Sequence, residues 1–269
     1  SSLTEAQHLN DLAASQPDPL PVHLKIDTGM GRIGFLPDQL QSSLNNLLNL
    51  PALHVAGLAS HLPSADEDPD FTHDQITRFH DTVHSLKNTT PTLDTHLHIH
   101  NSAGLLGDYD TNTCTLARPG LMLYGVSPIP DQQHRLLPVL TLKSRVTLVR
   151  NLPAGHSISY GRTYITQNPT RAATIAVGYG DGYPRHLSGQ NTDVLIAGQR
   201  CPLLGRVTMD QINVDVTHLP NPPSPGDEVV LIGTQEPETI LAAEIAEKAG
   251  TIPWEILTRL TPRVTKLYR

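Results

Sequence analysis

The chain has 269 residues, enough for one large domain or two smaller ones and for a sizeable core. With 38% hydrophobic and 17% charged residues it is neither a disordered tail nor a coiled coil, and a formal net charge of −7 argues against a nucleic-acid binder or a cationic membrane binder. Only two cysteines, Cys114 and Cys201, exclude a disulfide framework and a cysteine-rich zinc site.

A cytoplasmic, reducing compartment fits that cysteine usage. No apolar run reaches the ~18 residues of a spanning helix, and no signal-like segment opens the printed sequence. The first predicted element is a helix: Ser2-Leu3-Thr4-Glu5 is a capping-box pattern, and Ala6, Leu9, Leu12 and Ala13 follow at helical spacing. Residues 22–27 read as a strand, with Val22, Leu24 and Ile26 on one face and Lys25 and Asp27 on the other. The strand runs into Thr28-Gly29-Met30-Gly31-Arg32, a two-glycine turn. A helix is expected over 37–48, a strand over 55–61 and a longer helix over 70–86. A third strand is expected over 96–100, ending at Asn101-Ser102-Ala103-Gly104, and a fourth short element over 116–124.

This alternation predicts parallel βαβ units. Polar residues gather at the strand ends, at Asp27 to Arg32, His61, Asn101-Ser102 and Arg118, where such folds bind ligands. Four parallel strands are half of a TIM-type (β/α)8 barrel. Past residues 128–138 the character changes to short β-branched runs bounded by Gly and Pro, at 140–149, 173–179, 194–196, 212–216 and 228–232. One helix interrupts them, with Thr239 as its expected cap and Gly250 as its end. The predicted class is therefore α/β plus mostly-β: a partial barrel over 1–135 and a β-strand-rich domain over 136–269.

Taken singly, the candidate motifs are weak. His96, His98 and His100 alternate on one strand face and could ligate zinc, but no carboxylate completes an open site, so no metal is expected. Gly29-Met30-Gly31 is not a dinucleotide or Walker loop and reads equally as a tight turn. Gly178-Tyr179-Gly180-Asp181-Gly182-Tyr183 alone suggests a hairpin-like connection. Ser159-Tyr160-Gly161 means little by itself, since a tyrosine acts as a base at neutral pH only beside a cation or in a dry site.

Together they are specific. In order along the chain stand the segment from His23 to Gly34, Ser60-His61 with Ala65-Asp66-Glu67, Asn101-Ser102-Ala103-Gly104 and the segment from Arg118 to Gly125. Ser159-Tyr160-Gly161, the segment from Gly178 to Arg185 and the segment from Gly205 to Gln211 complete the set. This series resembles the alanine racemase family, enzymes with a barrel, a C-terminal β domain and pyridoxal 5'-phosphate (PLP). The resemblance covers the chain from about residue 20 to Arg263.

The resemblance implies PLP-dependent interconversion of L-alanine and D-alanine by two bases on opposite faces of the substrate. Tyr160 resembles one base, reaching across from a partner subunit, so a head-to-tail homodimer is implied. Arg118 resembles the arginine facing the pyridine nitrogen, and His61 the histidine that bonds it. Because an arginine stays protonated, it donates a hydrogen bond there without giving up its proton. Arg32 resembles the arginine that contacts the cofactor's phenolic oxygen and the substrate carboxylate. Lys25 resembles a lysine carbamylated in many members; an ordinary ion-paired setting with Asp27 is the alternative. Ser102, Gly120 and Leu121 resemble the phosphate site. Met209 and Asp210 resemble a substrate-side loop, Tyr179 an entrance tyrosine and Arg185 an outer entrance residue.

One departure is large. The family's other base, the lysine that holds PLP as a Schiff base, lies in a Lys-Ala-Asn-Ala-Tyr-Gly-like segment of the first barrel strand. The lysines here are Lys25, Lys87, Lys143, Lys248 and Lys266, and none has that context. The expectation is a chain inactive alone, whose missing partner is the N-terminal half-barrel segment. A non-catalytic remnant or assembly module of the fold, and a racemase for serine or a broad range of amino acids, are the alternatives.

Overall fold

The computed structural model describes residues 1–268 apart from Thr92, Asp94, Thr111 and Asn112. It divides into two compact units, Ser1–Leu123 with Ser127–Leu136, and Tyr124–Val126 with Leu137–Arg269.

The first unit begins with α1 (Leu3–Ala13), where the Ser2 hydroxyl accepts from the Glu5 N–H at 3.2 Å. It continues with β1 (Leu20–Lys25), α2 (Pro37–Leu48), β2 (Leu53–Ala59), α3 (Pro69–Thr89), β3 (His96–His98) and α4 (Ser102–Leu106). Pro37 and Pro69 occupy first-turn positions, where a missing N–H costs nothing. Leu40, Leu44 and Leu47 bury one face of α2. Ile76, Phe79, Val83 and Leu86 bury one face of α3. The strands pair in parallel in the order β1-β2-β3, with helices supplying the crossovers. Ile26, Leu58, Phe79, Leu86 and Ile99, all fully buried, form the core.

The expected fourth barrel element departs from prediction. Residues 116–124 form no strand. The N–H groups of Thr115 and Leu116 both donate to the Leu97 carbonyl, at 2.9 and 3.2 Å, and Arg118 N–H donates to His100 O at 3.1 Å. Pro119 then has no N–H to extend a ladder, and the chain closes into a 3-10 turn at Leu121–Tyr124. Among the described residues this unit has three parallel strands, not four.

The second unit holds β4 (Leu142–Leu152), β5 (Ser157–Ile158), β6 (Tyr164–Ile165), β7 (Thr170–Ile175), β8 (Asp193–Ile196), β9 (Gln199–Leu204), β10 (Ile212–Asp215), β11 (Glu228–Gln235) and β12 (Glu238–Ile240), followed by α5 (Ala242–Ala249) and α6 (Pro253–Thr258). Seven strands run in the order β12-β11-β4-β7-β10-β9-β8, and β11 also meets β8 through Val230 and Leu195. That pairing closes six strands into a barrel, with β12 as an outer extension, so few backbone edges stay open. Val194, Leu195, Ile212, Val214, Val229 and Leu231 are fully buried in this unit. Thr239 does not cap the helix: it lies in β12, and Leu241 precedes α5 with no side-chain cap. Gly250, at φ +67°, ends α5 as expected. Among the described residues no helix is long and apolar enough to cross a membrane.

Candidate active site

In the first unit, β1, β2, β3 and the 116–124 segment bring a cationic group together. The Arg118 Nη2 donates to Ser60 O at 2.7 Å, to Ile99 O at 3.2 Å and to His61 Nδ1 at 3.4 Å. Its Nη1 donates to His98 O at 3.2 Å and to His98 Nδ1. Lys25 Nζ donates to the same Ser60 carbonyl at 2.8 Å. Ser60 is fixed in turn: its hydroxyl donates to Ile26 O at 2.8 Å and meets Thr28 Oγ1 at 2.7 Å. The strand ends thus spend their carbonyls on two cations.

The Asp27 carboxylate does not ion-pair with Lys25. It accepts from the N–H groups of Gly29, Met30 and Gly31, at 2.9 to 3.1 Å, and so builds the turn that leads to Arg32. Gly31 takes a φ of +70° in that turn, which suits glycine.

The electrostatic consequences follow from burial among cations. Burial, then Arg118 and Arg32, push the Lys25 ammonium down to about 8, against a smaller opposing pull from Asp27. Burial, then Lys25 and Arg118, push His61 down to about 4. Burial, then Arg118 and His23, push His98 to about 4 as well. Both imidazoles are neutral at pH 7. A guanidinium can only donate, so His98 Nδ1 accepts and its proton sits on Nε2. That proton points at His23 Nδ1, 2.6 Å away. Arg118, His98 and His23 therefore form one directed chain of hydrogen bonds.

His98 and His23 are site residues that the sequence did not single out as such. The three histidines of the strand segment diverge: His96 meets Thr115 Oγ1 at 3.2 Å, His98 serves Arg118, and His100 is buried with neither ring nitrogen partnered. Strand periodicity carried no signal of which histidine would meet an arginine twenty residues later.

Ser102 opens α4. Its Oγ accepts from Gly120 N at 2.9 Å and Met122 N at 3.3 Å. With its acceptor positions used by two N–H groups, the hydroxyl proton is left to donate. A Cβ added at Gly120 would meet nothing within 4 Å, so space is open there. Leu121, next in the chain, is buried. This donor set suits an anion.

The second unit carries Tyr160, Tyr179, Arg185, Met209 and Asp210. The turn after β5 is strained: Ser159 has φ +64°, Gly161 φ +71° and Arg162 φ +49°. Such backbone costs ~1–3 kcal/mol per non-glycine residue. Ser159 Oγ donates to Arg206 O at 2.7 Å and holds the turn in place. The turn projects Tyr160, which is 72% exposed. Tyr179 and Met209 are likewise exposed, on two turns joined by Tyr179 N–H to Thr208 O at 3.0 Å and Gly180 N–H to Met209 O at 2.9 Å. The 178–183 segment holds a 3-10 turn at Tyr179–Asp181 rather than a hairpin connection. A Cβ at Gly178 would lie 2.2 Å from Thr208 O, so only glycine permits the approach.

Comparison with known proteins places these features in a family. Residues 1–128 match the sequence model of the alanine racemase N-terminal domain, and residues 139–268 match that of the C-terminal domain. The chain is similar to the alanine racemase of Methylacidiphilum infernorum, 40% identical over 269 residues, covering all of this chain and 67% of the relative. That of Halothermothrix orenii is 42% identical over 267 residues, covering 98% and 69%. Among solved structures, alanine racemase from the D-cycloserine producer Streptomyces lavendulae superposes with a TM-score of 0.91 at 33% identity, covering 98% of this chain and 70% of that one. Alanine racemase from Bartonella henselae with covalently bound pyridoxal phosphate gives 0.85 at 28% identity, covering 100% and 72%. The chain thus spans about two thirds of the length of these relatives. Its match runs through both the barrel and the β domain of their fold, and this chain belongs to the alanine racemase family.

Proposed function

We propose that the residues of this chain perform their part of alanine racemisation as follows, with PLP held by the first unit and a proton-transferring tyrosine carried by the second. The observation that carries this reading is Arg118, a donor-only cation held by the ends of β2 and β3, in the same unit as a Ser102 hydroxyl whose proton is left to donate. Bound PLP supplies an electron sink for the charge left on the substrate's α-carbon when its proton is removed.

The residues present fit that cofactor. Arg118 donates toward a pyridine nitrogen and keeps its proton, while His61, His98 and the carbonyls of Ser60 and Ile99 fix the plane of its guanidinium. Ser102 would donate a hydrogen bond from its hydroxyl to a phosphate oxygen, in the open space beside Gly120 and Leu121. Arg32 binds the substrate carboxylate and the cofactor's phenolic oxygen. Tyr160 takes or returns the α-proton on one face, from the partner subunit of a head-to-tail homodimer. Its strained, outward-facing turn supports that role. Met209 and Tyr179, with Arg185 further out, border the substrate of that neighbour.

Lys25 is the site of a carbamate. An amine near pKa 8 is partly neutral at pH 7, so CO2 can form a bond to its nitrogen while one proton leaves to solvent. The resulting anion would answer Arg32 and Arg118, for which Asp27 offers no ion pair. Labelled bicarbonate should give a carbamate 13C signal that disappears in K25R; a missing signal in the unmodified chain leaves Lys25 a plain amine.

The second base is the lysine bound to PLP. None of the five lysines here stands in the family's motif. Alone, the chain would bind the cofactor without racemising alanine, which is where the reading as a non-catalytic module finds its support. The free thiols of Cys114 and Cys201 fit the cytoplasm.

A titration of PLP with the full chain tests the site. S102A should weaken binding by about 10- to 100-fold, the worth of a hydrogen bond to a charged group. Equal affinity for S102A and the unmodified chain would remove the phosphate site from Ser102.

A further inference from the structure

The C-terminal segment crosses the back of the two turns that carry Tyr179 and Met209. Thr261 N–H donates to Asp181 O at 3.2 Å, and its Oγ1 donates to Gly180 O at 3.0 Å. From this anchored segment Arg263 reaches both turns. Its Nε lies 3.2 Å from Asp181 Oδ1 and its Nη2 2.6 Å from Asp210 Oδ1. A Cβ added at Gly180 would fall 2.5 Å from Arg263 Nη1, so the guanidinium packs closely onto the bare backbone of that turn.

The two carboxylates are not equivalent. Asp181 is also tied to its own turn, where Oδ2 accepts from Gly178 N–H at 2.9 Å. The Asp210 side chain has Arg263 as its partner among the described residues. One guanidinium thus sits against two like charges from two separate turns. Without it, the carboxylates repel and the tip holding Met209 loses its outer attachment.

We propose that Arg263 is a positioning residue that locks the Tyr179 turn and the Met209–Asp210 turn into one rigid substrate border, through Asp181 and Asp210. This rests on the reading of Tyr179 and Met209 as substrate-side residues. The partners of the Arg263 guanidinium are the Asp181 and Asp210 carboxylates. Arg263 acts by fixing the distance between the two turns.

Hydrogen exchange of the full chain, followed by mass spectrometry, tests the lock without any assay of activity. R263M should speed exchange at both 178–183 and 207–211 by roughly two- to fivefold, the range of a partly exposed ion-pair network, and leave the β11 peptide unchanged. Adding D210N to R263M removes the repulsion and should restore protection at 178–183. R263K keeps the charge and should restore part of the protection at both turns. Unchanged exchange at both turns, or equal loosening of β11, overturns the proposal. The underlying reading fails separately: if R263M loosens both turns while the KM for alanine of a racemase assembled with the lysine-bearing segment stays put, the lock stands and the turns do not border the substrate.

Discussion

His98 shows how a single side chain sets the character of the site. It accepts from Arg118 only while neutral, and burial among cations keeps it so. His61 behaves alike. Unfolded, both rings titrate near 6.5; folded, they titrate near 4. The folded state therefore holds their full contribution above pH 6.5 and loses it as pH falls through about 4, because protonation is easier in the unfolded chain. H98Q removes one of the two titrations and keeps an acceptor for Arg118. The decline of Tm between pH 6.5 and 4 should be shallower in H98Q; an unchanged acid slope would show that His98 does not carry the shift. The motif around Lys25, Arg32, His61 and Arg118 was legible from the sequence because it lies in contiguous, unusual segments. His98 and His23 were not, because their roles depend on a partner brought in by strand pairing and on Gly57. A Cβ there would sit 2.4 Å from His23 Nδ1.

At the scale of elements, legibility followed local signals. The predicted bounds of α2 match the structure, since Pro37 marks its first turn and Leu40, Leu44 and Leu47 its inner face. The misread elements are those where local signals compete. Thr239 has the chemistry of a cap, yet its hydroxyl meets Thr234 Oγ1 at 2.9 Å across the β11–β12 pair. Residues 116–124 look apolar enough for a strand, but Pro119 and Gly120 leave no ladder to propagate. Closure of the β unit rests on Val230 against Leu195, a pairing that nothing in either segment announces. The close approach of the turns at Gly178 is a sharper test of element packing. G178A forces a Cβ against the Thr208 carbonyl and should destabilise the second unit by about 1–3 kcal/mol, read from urea unfolding. An unchanged midpoint would mean that the two turns give way freely.

At the scale of the molecule, the proposed function gives the two units different tasks. The first holds the cations and the hydroxyl that suit an anionic cofactor, and the second presents Tyr160 on a strained turn. The sequence made this division visible through its change from βα alternation to short β-branched runs. It also made visible the absence of the motif lysine. The most direct test joins this chain to the lysine-bearing barrel segment of a relative and measures D-alanine formed from L-alanine, with Tyr160 intact and in Y160F. Loss of a general base should lower the rate by about 10²- to 10⁴-fold while PLP remains bound. A Y160F rate within twofold of the intact protein would contradict the assignment of Tyr160 as one of the two bases.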